Sequence, residues 1–267
     1  MDKSEQASDT KAKATEAKNK RTSTENRAVP FLAAFNDIEQ HFRAHFQAKH
    51  SEGFGNLVRR AEDKHLISEG QARLLHEFAD LRNCISHGSY GEDLRPIAEP
   101  LPEAVREISH LRDLITHPPL ALSVLGNHEV ITLYPDSPIA DAFNLIRDKG
   151  ISQFPVYDQG KFLALLSTNT IARWVAKDYT RGLDGATVGE VLECAETSET
   201  VGFLNRHSTV REVLEYFTTP TKAKGGGIPT AIILTEHGKR TQKPFRIITR
   251  GDLPTLVEAV EINAAEG

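Results

Sequence analysis

The sequence of 267 residues contains only two cysteines, Cys84 and Cys194, and they lie far apart in the chain. Two isolated cysteines make neither the ligand spacing of a zinc site nor the framework of a disulfide-stabilised domain. No apolar run approaches the ~20 residues that cross a bilayer, and the N-terminus lacks the apolar core of a secretory signal. These absences predict a cytoplasmic protein with no membrane partner and no metal site.

The chain also lacks an excess of positive charge. Its 32 Lys and Arg residues against 37 Asp and Glu residues give a formal net charge of −5. A general nucleic-acid-binding domain is usually strongly basic, so the composition argues against that class and leaves room only for a local basic site. Hydrophobic residues make up 39% of the chain, which is enough for packed cores, and the length suits two domains.

Composition and apolar spacing divide the chain into three regions. Residues 1–27 have no large apolar residue after Met1 and cannot bury enough surface to offset their ordering entropy, so we expect a disordered tail. Residues 28–118 have apolar side chains at helical spacing and predict an all-α bundle. A His-Pro-Pro sequence ends this region, and residues 119–267 alternate strand and helix patterns. The predicted fold class is therefore α+β.

Four helices are expected in the bundle. Ser68 and Gln71 form a capping-box pattern at the start of the third helix, which should end near Gly88. The expected order is a helix spanning residues 31–46, helices at about 56–64 and 68–88, a loop at 89–101 and a helix at 102–116.

The C-terminal region contains an internal repeat with the order strand, helix, strand, strand, helix. The copies cover about 119–180 and 188–263, and we expect them to pack as a pseudo-twofold pair. The best alignment places Ser137 on Ser208, Pro155 on Pro229 and Ser167 on Thr249. Ser137 and Ser208 should cap the first helix of each copy. Strands are expected at 129–133, 152–157, 161–166, 201–204, 228–234 and 245–248.

This repeat resembles the CBS family. The first copy has the segment from Gly150 to Asp158, which is close to the family's glycine-to-proline-to-aspartate strand; the second has a looser version at residues 227–230. The family's Thr/Ser-x-x-Asp pattern is kept as Thr249-Arg250-Gly251-Asp252. The resemblance covers about residues 120–262. It implies a tandem CBS pair that binds AMP, ADP or ATP, although S-adenosylmethionine and a cyclic dinucleotide remain open.

The Thr-x-x-Asp segment has the chemistry of a nucleotide site. Thr249 lies where a strand gives way to a helix, and free N–H groups there favour phosphate. Asp252 can accept hydrogens from both ribose hydroxyls, and Arg250 can pair with phosphate. The alternative is that Thr249 and Asp252 only cap a helix, because Thr-x-x-acid is also a capping box.

Other residues would complete the site or define a second one. Ile228 and Pro229 offer an apolar edge to a flat base, and Val201 to Phe203 offer backbone groups to its polar rim. The first copy has Ser167 at the start of its last helix, but Thr170 stands where the family has aspartate. Threonine supplies no charge, so we expect the first-copy site to be weak, empty or used by another ligand.

The helical region resembles the HEPN family through the segment from Leu81 to Gly88. Many HEPN proteins are metal-independent endoribonucleases that use Arg-x4-6-His with a polar residue after the arginine. The chain has three Arg-x4-His spacings, at 60/65, 82/87 and 112/117. Only the middle one has a polar neighbour and lies at the end of a long amphipathic helix within the region. The resemblance implies catalytic roles for Arg82, Asn83 and His87, without a catalytic metal.

The chemistry of these side chains suits RNA cleavage. Histidine can act as acid or base near neutral pH, and arginine presents a permanently charged fork to phosphate oxygens. Arg82 is about 140° from His87 around an ideal helix. A homodimer with facing helices, which the family commonly forms, would bring them together. The alternative is a helix C-terminal pair in which His87 interacts with the helix dipole.

Two functions follow from these patterns. The leading hypothesis is a homodimeric endoribonuclease that cuts RNA and is regulated by an adenine nucleotide at the CBS pair. The competing hypothesis is a non-enzymatic nucleotide sensor, in which the helical region only dimerises or binds a partner. Whether the protein is an enzyme is left open between them, with the ribonuclease preferred.

Overall fold

The computed structural model describes residues 26–87, 89–90, 95–96, 98–177, 182, 185–196, 199–219 and 227–261. The tail predicted at 1–27 lies outside these residues except at its last two positions. The chain divides into two compact units between Thr116 and His117. No helix in the described ranges combines the length and the apolar character needed to cross a membrane.

The helical unit is built around its first helix. Phe31, Phe35, Ile38 and Phe42 recur at helical spacing and are completely or almost completely buried. Burying each of these side chains contributes about 1.5–3 kcal/mol, so this stripe sets the packing of the unit. The helices are α1 (Ala28–Phe46), α2 (Phe54–Asp63), α3 (Glu69–His87) and α4 (Pro102–Thr116).

The start of α3 and the segment after it show one agreement and one difference. Ser68 N donates to Gln71 Oε1 (2.9 Å) and Gln71 N donates to Ser68 Oγ (3.3 Å), so the predicted capping box is present. The loop expected at 89–101 instead contains two short antiparallel strands, β1 (Ser89–Tyr90) and β2 (Arg95–Pro96). Strands of two residues are too short to produce a readable alternation of side chains.

The second unit contains the two copies of the repeat. The strand pair β3–β4 is antiparallel, and β5 is parallel to β6, which is antiparallel to β7. The first-copy elements are α5 (Ala121–Leu125), α6 (Ile139–Lys149), β3 (Gln153–Asp158), β4 (Lys161–Ser167), α7 (Thr168–Lys177) and α8 (Val188–Leu192). The second-copy elements are β5 (Val201–Asn205), α9 (Val210–Thr218), β6 (Ala231–Thr235), β7 (Arg246–Thr249), a 3-10 turn (Arg250–Asp252) and α10 (Leu253–Glu258).

The strand predicted at 129–133 is reduced to a single residue. Leu133 N donates to Pro155 O (3.0 Å) and Tyr157 N donates to Leu133 O (2.9 Å), which forms one parallel bridge. The next rung of such a ladder would need a donor at Pro155, and proline has no N–H. The equivalent strand β5 pairs along all its residues with β6, where Ile233 holds the equivalent position and keeps its N–H.

Strand register corrects the alignment of the two copies. Ser167 pairs with Gln153, and Thr249 pairs with Ala231. Because Ser167 and Thr249 are equivalent, Gln153 is equivalent to Ala231, and Pro155, two residues further along, is equivalent to Ile233. The predicted placement of Pro155 on Pro229 is therefore wrong by four residues, because a proline shared by chance outweighed the strand register.

The predicted helix caps are wrong by one residue. Pro138 is the N-cap of α6, and Ser137 Oγ instead accepts from Tyr134 N (3.0 Å). Thr209, rather than Ser208, caps α9 through a capping box with Glu212. Pro138 and Thr209 occupy equivalent positions in the two copies. The predicted alignment of Ser137 with Ser208 is therefore consistent with the observed helix starts.

The two halves exchange short helices: α5, which lies within the predicted first copy, packs on the second half, and α8, which lies within the predicted second copy, packs on the first half. The core of the first half packs α6, β3, β4 and α7 against α8, whereas the core of the second half packs β5 to β7, α9 and α10 against α5. The predicted second copy starts at residue 188, yet Val188 and Val191 of α8 are completely buried in the first half. A third core joins the sheets of the two halves through Tyr157, Phe162, Leu165, Ala231 and Ile233.

Candidate functional site

The second-copy corner is the end of β7 together with the turn that follows it. Thr249 N donates to Asp252 Oδ2 (2.8 Å), and Gly251 N donates to Thr249 Oγ1 (3.3 Å). The capping box, which sequence analysis gave as the alternative to a ligand, is thus present. The segment opens as a 3-10 turn ahead of the six-residue helix α10, so its helix dipole is smaller than the predicted long helix would supply.

Arg246 pairs with the acid of this corner. Its Nη2 donates to Asp252 Oδ1 (2.8 Å), and its Nη1 donates to Leu125 O (3.0 Å) and contacts His128 Nδ1. Both oxygens of Asp252 therefore have protein donors. Sequence analysis missed Arg246, because the equivalent position of the first copy holds Ala164 and the repeat gives no signal there.

The first-copy corner is the end of β4 together with the start of α7, and it holds a carboxylate from a distant segment. Ser167 Oγ donates to Glu199 Oε1 (2.8 Å), Thr170 Oγ1 donates to Glu199 Oε2 (2.7 Å), and Arg173 Nη2 donates to Glu199 Oε1 (2.8 Å). Ser167 also caps α7, since its Oγ accepts from Thr170 N (3.1 Å). Glu199 thus supplies the negative charge that Thr170 lacks.

The environment of Glu199 favours its charged form. Burial, which leaves its side chain 11% exposed, acts to raise its pKa. Hydrogen bonds from Thr170, Arg173 and Ser167 outweigh burial and hold the pKa of Glu199 below its usual range. The carboxylate is therefore ionised at neutral pH. Sequence analysis missed Glu199 and Arg173, because Glu199 lies 32 residues from Ser167 and no local motif connects them.

Two adjoining cavities lie in this unit. The polar cavity, of about 410 Å³, is lined by Ser152, Gln153, Asn169, Arg173, Glu196, Glu199, Thr230, Thr249, Arg250 and Gly251. The apolar cavity, of about 560 Å³, has Leu163, Leu165, Phe162, Val201, Phe203, Tyr216 and Pro229 among its lining residues. Both cavities share Glu196 and Glu199, so the Glu199 carboxylate lies where they meet.

The predicted ligand-binding residues divide between these cavities. Thr249 and Arg250 line the polar cavity. The apolar cavity is lined by Val201, Phe203 and Pro229. The remaining predicted residues lie elsewhere: Ile228 is 36% exposed and lines neither cavity, Asp252 lines neither, and Ser167 is buried behind Glu199.

Two buried side-chain oxygens close to the cavities have no partner. Among the described residues, Gln153 Oε1 and Thr200 Oγ1 are buried side-chain oxygens that accept or donate no hydrogen bond. Gln153 lines the polar cavity and Thr200 lines the apolar one. Leaving such a group unpaired costs about 1–3 kcal/mol.

The hairpin tip that lengthens the second copy reaches back to the first half. Phe162 N donates to Arg240 O (2.8 Å), and Tyr157 Oη donates to Gln242 O (3.3 Å). The Arg240 guanidinium lies 5.7 Å from the Phe162 ring centre and 5.3 Å from that of Phe203. Arg240 therefore adds a cation beside the two phenylalanine rings that line the apolar cavity.

In the helical unit, two of the three predicted catalytic residues touch each other. Arg82 Nη1 donates to Asn83 Oδ1 (3.2 Å), and the Arg82 guanidinium lies 5.7 Å from the Phe35 ring centre. His87 is the last residue of α3, and its side chain lies outside the described part of the chain. The other two arginines of this spacing pair with carboxylates: Arg60 with Glu52, and Arg112 with Asp113.

Comparison with known proteins supports part of this picture. The CBS domain family model matches residues 111–177, which confirms the CBS domain predicted for the first copy. No curated protein matches this chain. The HEPN resemblance of the helical unit stays a prediction.

Several solved structures are similar to about half of the chain at low identity. The CBS-domain protein ATU1752 from Agrobacterium tumefaciens is 22% identical over 52% of this chain and 88% of that one, with a TM-score of 0.37. A putative signal-transduction protein with CBS domains from Burkholderia ambifaria is 17% identical over 55% and 98%, with a TM-score of 0.38. CBSX2 in complex with AMP is 16% identical over 53% and 95%, with a TM-score of 0.33. The CBS assignment rests on the family model.

Proposed function

We propose that this protein, with its CBS domain at residues 111–177, is a sensor that binds one adenine nucleotide in the two adjoining cavities of its C-terminal unit. The observation that carries the proposal is the pair of adjoining cavities, one lined by Phe203 and Pro229 and the other by Thr249 and Arg250. A ligand that is flat and apolar at one end and anionic at the other matches both cavities, and an adenine nucleotide has this chemistry.

The apolar cavity suits the base. Its volume of about 560 Å³ falls in the usual range for small-molecule sites, about 300–1,000 Å³. Phe203 and Pro229 provide flat apolar surface, and aromatic side chains favour offset or edge-on contact with a ring.

The polar cavity suits the phosphate. Arg250 presents a planar fork that pairs with two phosphate oxygens at once, and the Thr249 hydroxyl lines the same wall. Asp252 is held by Arg246 and by the Thr249 backbone. It therefore acts first as the support that fixes Thr249, and its Oδ1, which accepts from Arg246, keeps acceptor capacity for a ribose hydroxyl.

The test is calorimetric titration of the full chain with AMP, ADP, ATP, S-adenosylmethionine and cyclic di-AMP. We expect an adenine nucleotide to bind, and Arg250→Ala to weaken it by about 10-fold or more, the usual loss for one charged hydrogen-bonded pair. Arg147→Ala is the matched control, because Arg147 is exposed on α6 and pairs with its neighbour Asp148. Absence of nucleotide binding by the wild-type chain contradicts the proposal.

A second candidate function is the predicted endoribonuclease of the helical unit. The observation that favours it is the Arg82–Asn83 hydrogen bond near the end of α3, where Asn83 is exposed and the arginine is bonded to an amide. Arg60 and Arg112, by contrast, are neutralised by carboxylates. An arginine bonded to a neutral amide keeps its charge available for a phosphate.

RNA cleavage by the purified chain in EDTA tests this second function. We expect wild-type protein to cut single-stranded RNA and His87→Asn to lose at least about 100-fold in rate, the usual contribution of one acid or base. His65→Asn, at one of the two other histidines with this spacing, should keep full activity; the φ of His65, 55°, is one that asparagine tolerates. Equal cutting by wild type and His87→Asn leaves only the sensor.

A further inference from the structure

We infer that Glu199 is an internal anion that fills the first-copy corner and thereby restricts the nucleotide site to one ligand with a short phosphate chain. The inference rests on the proposed nucleotide site and adds its specificity. It makes Glu199 a residue that discriminates nucleoside monophosphates from triphosphates.

The first step is that Glu199 occupies the position and the donors that a phosphate would use. Its two oxygens accept from the Ser167 and Thr170 hydroxyls and from the Arg173 guanidinium, all at 2.7–2.8 Å. These groups lie at the start of α7, a helix of ten residues, whose N-terminus attracts negative charge. With the carboxylate in place, the Ser167, Thr170 and Arg173 donors are already used and the position of a second phosphate is filled.

The second step concerns the charge of the polar cavity. Arg173 is shared between Glu199 (2.8 Å) and Glu196 (3.4 Å), so its charge is already balanced. Arg250 lines the same cavity and is the cation assigned to the ligand. A single phosphate at Thr249 and Arg250 therefore meets one available positive charge.

The third step is what a longer chain would meet. Glu196 and Glu199 also line the polar cavity, and their two negative charges share the single positive charge of Arg173. A β- or γ-phosphate extended from Arg250 into this volume approaches like charges in a partly buried setting, where water screens them weakly. We therefore expect the wild-type chain to bind AMP at least about 10-fold more tightly than ATP, with one AMP per chain.

Calorimetric titration with AMP and with ATP in EDTA tests the inference on the full chain and on variants. Glu199→Ala empties the corner, and Glu199→Gln removes the charge while keeping an acceptor for Ser167 and Thr170. Both variants should tighten ATP binding by about 10-fold or more and change AMP binding by less than about 3-fold. Thermal unfolding followed by circular dichroism checks that each variant folds, and Glu199→Gln is the less disruptive of the two.

Glu196→Ala is the matched control. Glu196 lines the same cavities and pairs with the same arginine, but its side chain is 57% exposed and its ion pair with Arg173 is at 3.4 Å. The Glu196→Ala substitution removes one negative charge without emptying the first-copy corner, so the affinity for ATP should rise by less than about 3-fold. An equal rise for Glu196→Ala and Glu199→Ala overturns the inference, as does equal binding of AMP and ATP by the wild type.

Failure of the proposed function gives a different result. If no nucleotide binds the wild-type chain, the first-copy corner is probed with inorganic triphosphate instead of a nucleotide. We then expect Glu199→Ala to bind triphosphate and the wild type and Glu196→Ala to bind it at least about 10-fold more weakly. Equal triphosphate binding by all three chains overturns the role of Glu199 by itself.

Discussion

At the scale of single residues, the two corners of the C-terminal unit obtain their carboxylates in different ways. Asp252 lies three residues after Thr249, so the Thr-x-x-Asp pattern predicts it from local sequence. Glu199 reaches Ser167 across 32 residues and Thr170 across 29. A local motif can identify the first acid and cannot identify the second. The prediction that the first-copy site is weak, empty or used by another ligand was drawn from Thr170 alone, and it stays a prediction.

The lowered pKa of Glu199 gives a pH dependence of stability. A carboxyl whose pKa is lower in the folded than in the unfolded chain stabilises the fold above its unfolded pKa, near 4.5, and loses that contribution as pH falls through the folded value. We expect wild type to be more stable than Glu199→Gln at pH 7, with the difference shrinking below about pH 4.5. Thermal unfolding of both proteins between pH 7 and pH 3 measures it. A difference that stays constant over that range would show that charge at Glu199 has no part in stability.

At the scale of elements, the helices were more predictable than the strands. The stripe of Phe31, Phe35, Ile38 and Phe42 has the period of a helix and is buried as predicted. The prediction of a full strand at 129–133 was wrong, because an apolar run shows only that a segment is suited to form a strand. Whether the ladder forms depends on its partner, and here the partner presents Pro155, which has no N–H to donate.

The exchange of α5 and α8 between the halves was also beyond sequence patterns. Each short helix adjoins one copy in the chain and packs on the other, and amphipathic spacing does not reveal which core a helix will join. The choice is made by burial of a few side chains such as Val191. This arrangement makes the two halves depend on each other for their cores.

A substitution in α8 tests the exchange. Val191→Ala removes two buried methyl groups from the first-half core, so we expect a loss of about 1–3 kcal/mol in the free energy of unfolding. Denaturant unfolding followed by fluorescence of Trp174, the sole tryptophan of the chain and part of the same core, measures it. Val257→Ala on α10 is the control: Val257 is 36% exposed, so its loss should stay within about 0.5 kcal/mol. A neutral Val191→Ala would place α8 outside the first-half core.

At the scale of the whole molecule, the sequence predicted a helical region followed by a repeated CBS-type region, and the CBS domain is confirmed at residues 111–177. The proposed class of ligand comes from the resemblance, because the Thr-x-x-Asp motif by itself has chemistry that suits a phosphate and a ribose. The preference among nucleotides did not follow. It depends on which charges from distant segments share a cavity, as Glu196, Glu199 and Arg173 do here.

Control of the helical unit by nucleotide requires that binding in one unit changes the other. A ligand shifts an equilibrium only if it binds the two states differently, and coupling between sites is typically about 5–150-fold. We therefore expect saturating AMP to change amide hydrogen exchange in α3 by at least about 5-fold in the full chain, besides protecting β5 and β6 beside the cavities. Mass spectrometry of peptic peptides measures both regions.

Arg250→Ala at the same AMP concentration should show neither effect, which separates site binding from general effects of the nucleotide. Protection of β5 and β6 without any change in α3 would mean that the nucleotide is sensed but that no signal reaches Arg82 and His87, and regulation of RNA cutting by nucleotide would then be wrong.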